Sequence, residues 1–122
     1  MKVLIVDDNF AARTILRKML ETMDGMRIVG ETATSQDALD MVLDVNPDIV
    51  MLETTVDGDL GLVDIVKQMV LIKPDVKIIL CTDEIGKEFV MPGIDAGAID
   101  FIGKPYKKEQ IERPIQRVII EL

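Results

Sequence analysis

Short apolar runs alternate with segments of helical periodicity along the whole chain. Three of the runs are continuous and rich in β-branched residues, as expected of strands covered on both faces: 3–6, 49–52 and 76–80. Two weaker runs, 26–33 and 98–102, are typical of strands at or near the edge of a sheet. Between the runs, apolar residues recur at helical spacing, which predicts amphipathic helices in 12–23, 35–45, 62–70 and 111–122.

Turn-forming residues separate these segments where a strand and a helix must be joined. Examples are the dipeptides Asp24-Gly25, Asn46-Pro47, Lys73-Pro74 and Ala96-Gly97. The alternation predicts an α/β fold of five β–α units, with a parallel sheet and helices on both of its faces.

The charge and residue usage limit the chemistry that this chain can perform. It has 122 residues, and its 14 basic and 22 acidic side chains give a net charge of −8, which argues against direct binding of nucleic acid. There is no histidine, and Cys81 is the only cysteine, so histidine-based catalysis and an internal disulfide are excluded. No apolar run approaches the roughly 20 residues of a membrane helix. Without a signal peptide, we expect a cytoplasmic protein that does not contact membranes.

Polar side chains follow four of the predicted strands. In a parallel sheet, ligands bind outside the carboxyl ends of the strands. The residues at these ends are Asp7, Asp8, Glu53, Thr82 and Lys104. Each has an ordinary explanation when it is taken alone: the aspartates could cap the first helix, Thr82 could be a turn residue, and Lys104 could be a solvated cation. Taken together, they suit a hard cation such as Mg²⁺ and the oxygens of a phosphate.

The chain resembles the response-regulator receiver domains of two-component signalling, in particular the single-domain chemotaxis type. The segments that carry the resemblance are VLIVDDN, PDIVMLETTVDGDLG, KIILCT and AGAIDFIGKPY, which occur in the family's order. The resemblance covers 1–122 as one receiver domain. It implies a flavodoxin-like (βα)₅ three-layer sandwich with strand order 2-1-3-4-5. It also implies a protein that is not an enzyme and whose partner is a sensor histidine kinase or a downstream signalling protein.

The resemblance assigns roles to individual residues. Asp8 would ligate Mg²⁺ directly, Asp7 would hold it through water, and the carbonyl of Thr55 would be a further ligand. Thr82 and Lys104 would contact a phosphoryl group. Glu53 would stand at the phosphoacceptor position and would share in weak Mg²⁺ binding. Phe101 would be the aromatic ring that turns inward on activation.

Glu53 departs from the family, whose phosphoryl acceptor is an aspartate. The extra methylene moves the carboxylate by about 1.5 Å, one carbon–carbon bond. A misplacement of this size can slow in-line transfer by about 10²-fold, so Glu53 is a poor acceptor. Three interpretations remain open. Glu53 could imitate the phosphorylated state by reaching Thr82 and Lys104, or it could mark a decayed site. The chain could also be a variant of a conventional, phosphorylatable receiver, or the N-terminal part of a longer regulator.

Other departures concern the mouth of the site and the expected partner surface. Asp57 and Asp83 add acidic groups where the family usually has none, which would repel an anionic phosphodonor. Pro92 is expected to interrupt the fourth helix and Pro114 to kink the fifth. In the family these two helices form the output face, and we expect a homodimer to use them.

One enzyme class and one class of binding protein can be set aside from the motifs alone. Phosphatases of the haloacid dehalogenase type need Asp-x-Asp after the first strand, but Asp7 is followed by Asp8-Asn9-Phe10. A nucleotide-binding protein needs a glycine-rich phosphate loop at this turn, which holds acids instead.

Overall fold

The computed structural model describes residues 1–121, and five strands alternate with helices along this length. The strands are β1 (Lys2–Val6), β2 (Arg27–Thr32), β3 (Ile49–Glu53), β4 (Lys77–Thr82) and β5 (Asp100–Gly103). The helices are α1 (Phe10–Glu21), α2 (Ser35–Val45), α3 (Leu62–Ile72), α4 (Val90–Ala96) and α5 (Lys108–Glu121), and a short 3₁₀ helix, Gly86–Phe89, precedes α4.

The strands form one parallel sheet in the order β2-β1-β3-β4-β5. This confirms the predicted fold class and strand order, and it places the two weaker runs, β2 and β5, at the edges. The register pairs Val6 with Leu52 and Glu53 with Cys81. The carboxyl ends of β1, β3 and β4 therefore lie side by side, and the residues that follow them are neighbours.

The hydrophobic core has two layers, one on each face of the sheet. Leu4, Leu52 and Leu80 pack with α2 and α3, whereas Ile5, Met51 and Ile79 pack with α1 and α5. Both sides of the central strands are covered, which explains their continuous apolar runs. Two residues of the predicted apolar helix faces are exceptions: Ile15 and Ile119 are about half exposed. Leu122, the last residue predicted for the fifth helix, lies outside the described residues.

Both prolines singled out in the sequence lie within helices. Pro92 is the third residue of α4, in the first turn, where no amide hydrogen is needed, so α4 continues through it. The helical segment is divided earlier, where the 3₁₀ helix Gly86–Phe89 meets α4. The fourth helix is nevertheless short, at seven residues. Pro114 lies inside α5, which continues on both sides of it, and the kink expected there stays a prediction.

None of the helices described for residues 1–121 combines the length and the apolar character that crossing a membrane requires.

Candidate functional site

Asp7 follows β1 and is held in place by the start of α1. Its side chain is 4% exposed, and its Oδ1 accepts a hydrogen bond from the amide of Asn9 at 2.9 Å. Asn9 itself caps α1, because its side chain accepts from the amide of Ala12 at 2.9 Å. The helix cap is therefore Asn9 and not one of the aspartates. This leaves Oδ2 of Asp7 free to face the end of β5.

Glu53 is the last residue of β3 and is 3% exposed. Its Oε1 accepts hydrogen bonds from the hydroxyl of Thr55 at 3.2 Å and, more weakly, from the amide of Thr55 at 3.4 Å. Its Oε2 contacts the ammonium group of Lys104. Within residues 1–121 no hydrogen-bond donor of ordinary geometry approaches Oε2, so the charge of Lys104 is what compensates it.

Lys104 follows β5 and joins the two buried carboxylates. Its amide donates to the carbonyl of Thr82 at 2.7 Å, which fixes its backbone beside β4, and the Lys104–Pro105 peptide bond is cis. Its ammonium group donates to Oδ2 of Asp7 at 2.7 Å and also contacts Glu53. Burial disfavours the ammonium form, but the hydrogen bonds to Asp7 and Glu53 outweigh it and raise the pKa of Lys104. The lysine is therefore charged at neutral pH.

Thr82 ends β4, and its hydroxyl donates to the carbonyl of Asp83 at 2.9 Å. A second threonine lies between Thr82 and Glu53. The hydroxyl of Thr54 is 3.2 Å from that of Thr82 and 3.4 Å from Oε1 of Glu53, and its side chain is buried. The sequence analysis did not single out Thr54. Its position beside a strand-end acid was visible, but its contact with β4 depends on the strand register.

Gly86 covers the two threonines from the loop after β4. A Cβ atom at this position would come within 2.2 Å of Oγ1 of Thr54 and 2.9 Å of Oγ1 of Thr82. The amide of Gly86 donates to Oδ1 of Asp83 at 2.8 Å. Asp83 thus caps the turn as well as adding charge, and Gly86 is a second residue that the sequence analysis missed.

The other predicted site residues are exposed, although Thr55 also contacts Glu53. Asp8 and Thr55 are exposed, as is Asp57. Phe101 is 48% exposed. The structure therefore brings together Asp7, Glu53 and Lys104, with Thr82 reached through Thr54.

The buried carboxylates of the site are bridged by Lys104. Within residues 1–121, no three acidic, cysteine or histidine side chains are grouped so that they could hold a metal ion. Oxygen donors of the right kind are present in Asp7 and Glu53, but the ammonium group of Lys104 already lies between them. The assignment of Mg²⁺ to Asp7, Asp8, Glu53 and Thr55 stays a prediction.

Cys81 is a buried packing residue of β4. It lies in the core layer that contains Ile79 and Tyr106. Burial raises the pKa of the Cys81 thiol to about 12, so it is not a thiolate at neutral pH.

The comparison with known proteins identifies the family. Residues 3–116 match the response regulator receiver domain. The chemotaxis protein CheY of Thermotoga maritima is 32% identical over 117 residues, which is 96% of each chain. Protein CcdB of Bacillus subtilis is 30% identical over 118 residues and 97% of each chain. The chain therefore belongs to the response regulator receiver domain family.

Solved structures agree with this fold. The response regulatory domain of protein mrkE from Klebsiella pneumoniae is 26% identical and covers 99% of this chain and 97% of its own, with a TM-score of 0.86. A CheY-like receiver domain protein from Methanospirillum hungatei, at 22% identity, matches with a TM-score of 0.85 over 98% of this chain and 94% of its own.

Some relatives carry further domains. A protein-glutamate methylesterase of Burkholderia thailandensis is 31% identical over 105 residues, but these are only 29% of its length and 85% of this chain. Receiver domains are generally not enzymes themselves. They interact with histidine kinases or downstream signalling proteins.

Proposed function

We propose that this chain is an atypical receiver in which Glu53 takes the place of the phosphoaccepting aspartate, and that it acts by binding other signalling proteins. The observation that carries the proposal is the ion cluster in which Lys104 contacts both Asp7 and Glu53. Both carboxylates are almost completely buried. The cluster compensates the acidic charges without a phosphoryl group.

The contacts of Glu53 also argue against phosphoryl transfer. Oε2 faces Lys104, and Oε1 accepts from Thr55 at 3.2 Å, so both oxygens are occupied. An acceptor must point one oxygen at the phosphorus in line with the leaving group, and the longer side chain changes that geometry.

The surroundings of Glu53 favour a resting site over an imitation of the phosphorylated state. Imitation requires that Thr82 turn toward position 53 and that the ring of Phe101 lie inward. Instead, Thr82 donates to the carbonyl of Asp83, and Phe101 is half exposed. Glu53 is thus a partner of Lys104 that does not impose the activated arrangement.

A conventional phosphorelay receiver, which requires Mg²⁺, is the second candidate. It is favoured by the presence of Asp7, Thr82 and Lys104 at the strand ends, as the family requires, and by a relative matched over 96% of both chains. On this alternative, Glu53 accepts the phosphoryl group in spite of its length.

The proposed partners are a sensor histidine kinase or a downstream signalling protein. The partner surface would include α4, β5 and α5, where Met91, Phe101 and Ile120 expose apolar side chains. A homodimer through the fourth and fifth helices would cover the same surface. The net charge of −8 makes nucleic acid an unfavourable direct partner.

Incubation with acetyl phosphate and Mg²⁺, followed by intact mass measurement, tests the proposal. We expect the unaltered chain to gain no phosphoryl group, because Glu53 is poorly placed to attack. Glu53→Asp restores the shorter acceptor and should gain one group if Asp7, Thr82 and Lys104 are competent. Glu53→Gln is the control that lacks an acceptor. Labelling of the unaltered chain but not of Glu53→Gln would replace the proposal with the conventional receiver.

A further inference from the structure

Thr54 has one hydroxyl proton and two acceptors within reach. The hydroxyl of Thr82 donates to the carbonyl of Asp83 at 2.9 Å, so it has no second proton to give. The 3.2 Å contact between Thr54 and Thr82 must then be a hydrogen bond donated by Thr54. In that arrangement Thr54 cannot also donate to Oε1 of Glu53, which is 3.4 Å away.

A second arrangement satisfies Glu53 instead. Thr54 donates to Oε1 of Glu53, Thr82 then donates to Thr54, and the carbonyl of Asp83 loses its donor. A carboxylate is the stronger acceptor, because hydrogen bonds to charged groups are roughly twice as strong as neutral ones. The shorter distance, 3.2 Å to Thr82 against 3.4 Å to Glu53, favours the first arrangement. The charge of the carboxylate favours the second, so the two arrangements compete.

The competition reaches the loop after β4 because this loop is packed on the two hydroxyls. Gly86 has no room for a Cβ atom against Thr54, and its amide is held by the side chain of Asp83. Asp83 is thus bonded at its carbonyl by Thr82 and at its carboxylate by Gly86. Release of the carbonyl would loosen the segment 83–86.

We propose that Thr54 is a positioning residue, whose single hydroxyl proton transmits the state of the carboxylate at position 53 to Thr82 and to the segment 83–86. A weaker or more distant acceptor at position 53 leaves the proton with Thr82 and holds the segment. A stronger acceptor at position 53 draws the proton of Thr54 away from Thr82 and releases the segment 83–86. The inference requires only the observed contacts and holds whether or not Glu53 can be phosphorylated.

Amide hydrogen exchange measured residue by residue with NMR tests the proposal. Glu53→Gln replaces the carboxylate with a neutral acceptor of the same shape, so exchange at 83–86 should slow. Glu53→Asp draws the carboxylate back by about 1.5 Å and should act in the same direction. It also provides the test if Glu53→Gln does not fold.

Three variants of the neighbouring threonines separate transmission from general effects. In Thr54→Val, which keeps the β-branched shape but has no hydroxyl, the effect of changing Glu53 on exchange at 83–86 should be lost. Thr54→Ser keeps the hydroxyl and should keep the effect. Thr55→Val removes the other hydroxyl that contacts Glu53 and should also keep it, because Thr55 has no hydrogen bond to Thr82 among the described contacts.

The proposal is overturned if exchange at 83–86 does not respond to Glu53→Gln or Glu53→Asp in the unaltered background. It is also overturned if the response is the same in Thr54→Val. Since the acetyl phosphate experiment reports covalent labelling and this one reports hydrogen bonding, either proposal can fail without the other.

Discussion

The ammonium group of Lys104 lies 2.7 Å from Oδ2 of Asp7, although 97 positions separate the two residues along the chain. The same ammonium group contacts Glu53, so one cation serves two buried carboxylates. Two buried carboxylates at neighbouring strand ends would repel each other strongly, because little water is present to screen their charges. Lys104 therefore compensates the charges of both carboxylates and stabilises the folded site.

Replacing Lys104 should destabilise the protein. In Lys104→Met the two carboxylates lose their shared cation, and we expect the free energy of unfolding to fall by about 3 kcal/mol. Urea denaturation followed by circular dichroism measures the change. Lys108→Met is the matched control, because Lys108 pairs with Glu112 at 3.9 Å on the surface and should matter by less than about 1 kcal/mol. Equal losses in the two variants would refute the role assigned to Lys104.

Mg²⁺ should bind weakly, and its binding should compete with Lys104. The ammonium group lies between Asp7 and Glu53, so a cation must displace it or share the carboxylates with it. We expect NMR titration with Mg²⁺ to give a tighter apparent affinity for Lys104→Met than for the unaltered chain. Asp8→Ala should abolish saturable binding. If Asp8→Ala titrates like the unaltered chain, the metal does not bind here.

Gly86 should not tolerate a side chain. In Gly86→Ala the new methyl group would meet the hydroxyls of Thr54 and Thr82, so the loop must move and stability should fall by about 1–3 kcal/mol. Gly103→Ala is a suitable control, because no atom lies within 4 Å of a Cβ built there. Thermal denaturation compares the two. A larger loss in Gly103→Ala would show that contact with the threonines is not the cause.

The segment of the 3₁₀ helix and α4 should open more readily than α3. It comprises a four-residue 3₁₀ helix followed by only seven residues of α-helix, whereas α3 has eleven residues and a fully buried stripe that includes Ile65, Val66 and Met69. Amide hydrogen exchange should be faster in 86–96 than in 62–70. Equal protection in the two segments would contradict this prediction.

The strand-end residues illustrate how far the sequence leads. Each apolar run ends at a definite residue, and in a parallel sheet those ends share one edge. The sequence alone therefore predicted that Asp7, Glu53, Thr82 and Lys104 lie together. The two-sided burial of the central strands, the five β–α units and the edge positions of β2 and β5 follow from the same periodicity. Family resemblance added the strand order.

Other features depended on which of several neighbouring residues occupies a given position of the backbone. Whether Asp7, Asp8 or Asn9 caps α1 depends on which side chain meets the amide of Ala12, and the answer was Asn9. Pro92 was expected to interrupt the fourth helix, which is short, but Pro92 itself lies in the first turn of α4, a position that the sequence did not reveal. Adjacent polar residues offer similar local chemistry, and only the path of the backbone selects among them.

The sequence by itself determined the fold, the family and the rim on which the charged residues lie, because hydrophobic periodicity and short motifs are written in consecutive residues. Only the tertiary structure decided that Lys104 bridges Asp7 and Glu53, that Thr54 lies between Glu53 and Thr82, and that Gly86 covers both hydroxyls. These contacts join residues from separate β–α units. They depend on how closely separate strand ends and loops approach one another in the folded chain, which the hydrophobic pattern of consecutive residues does not specify.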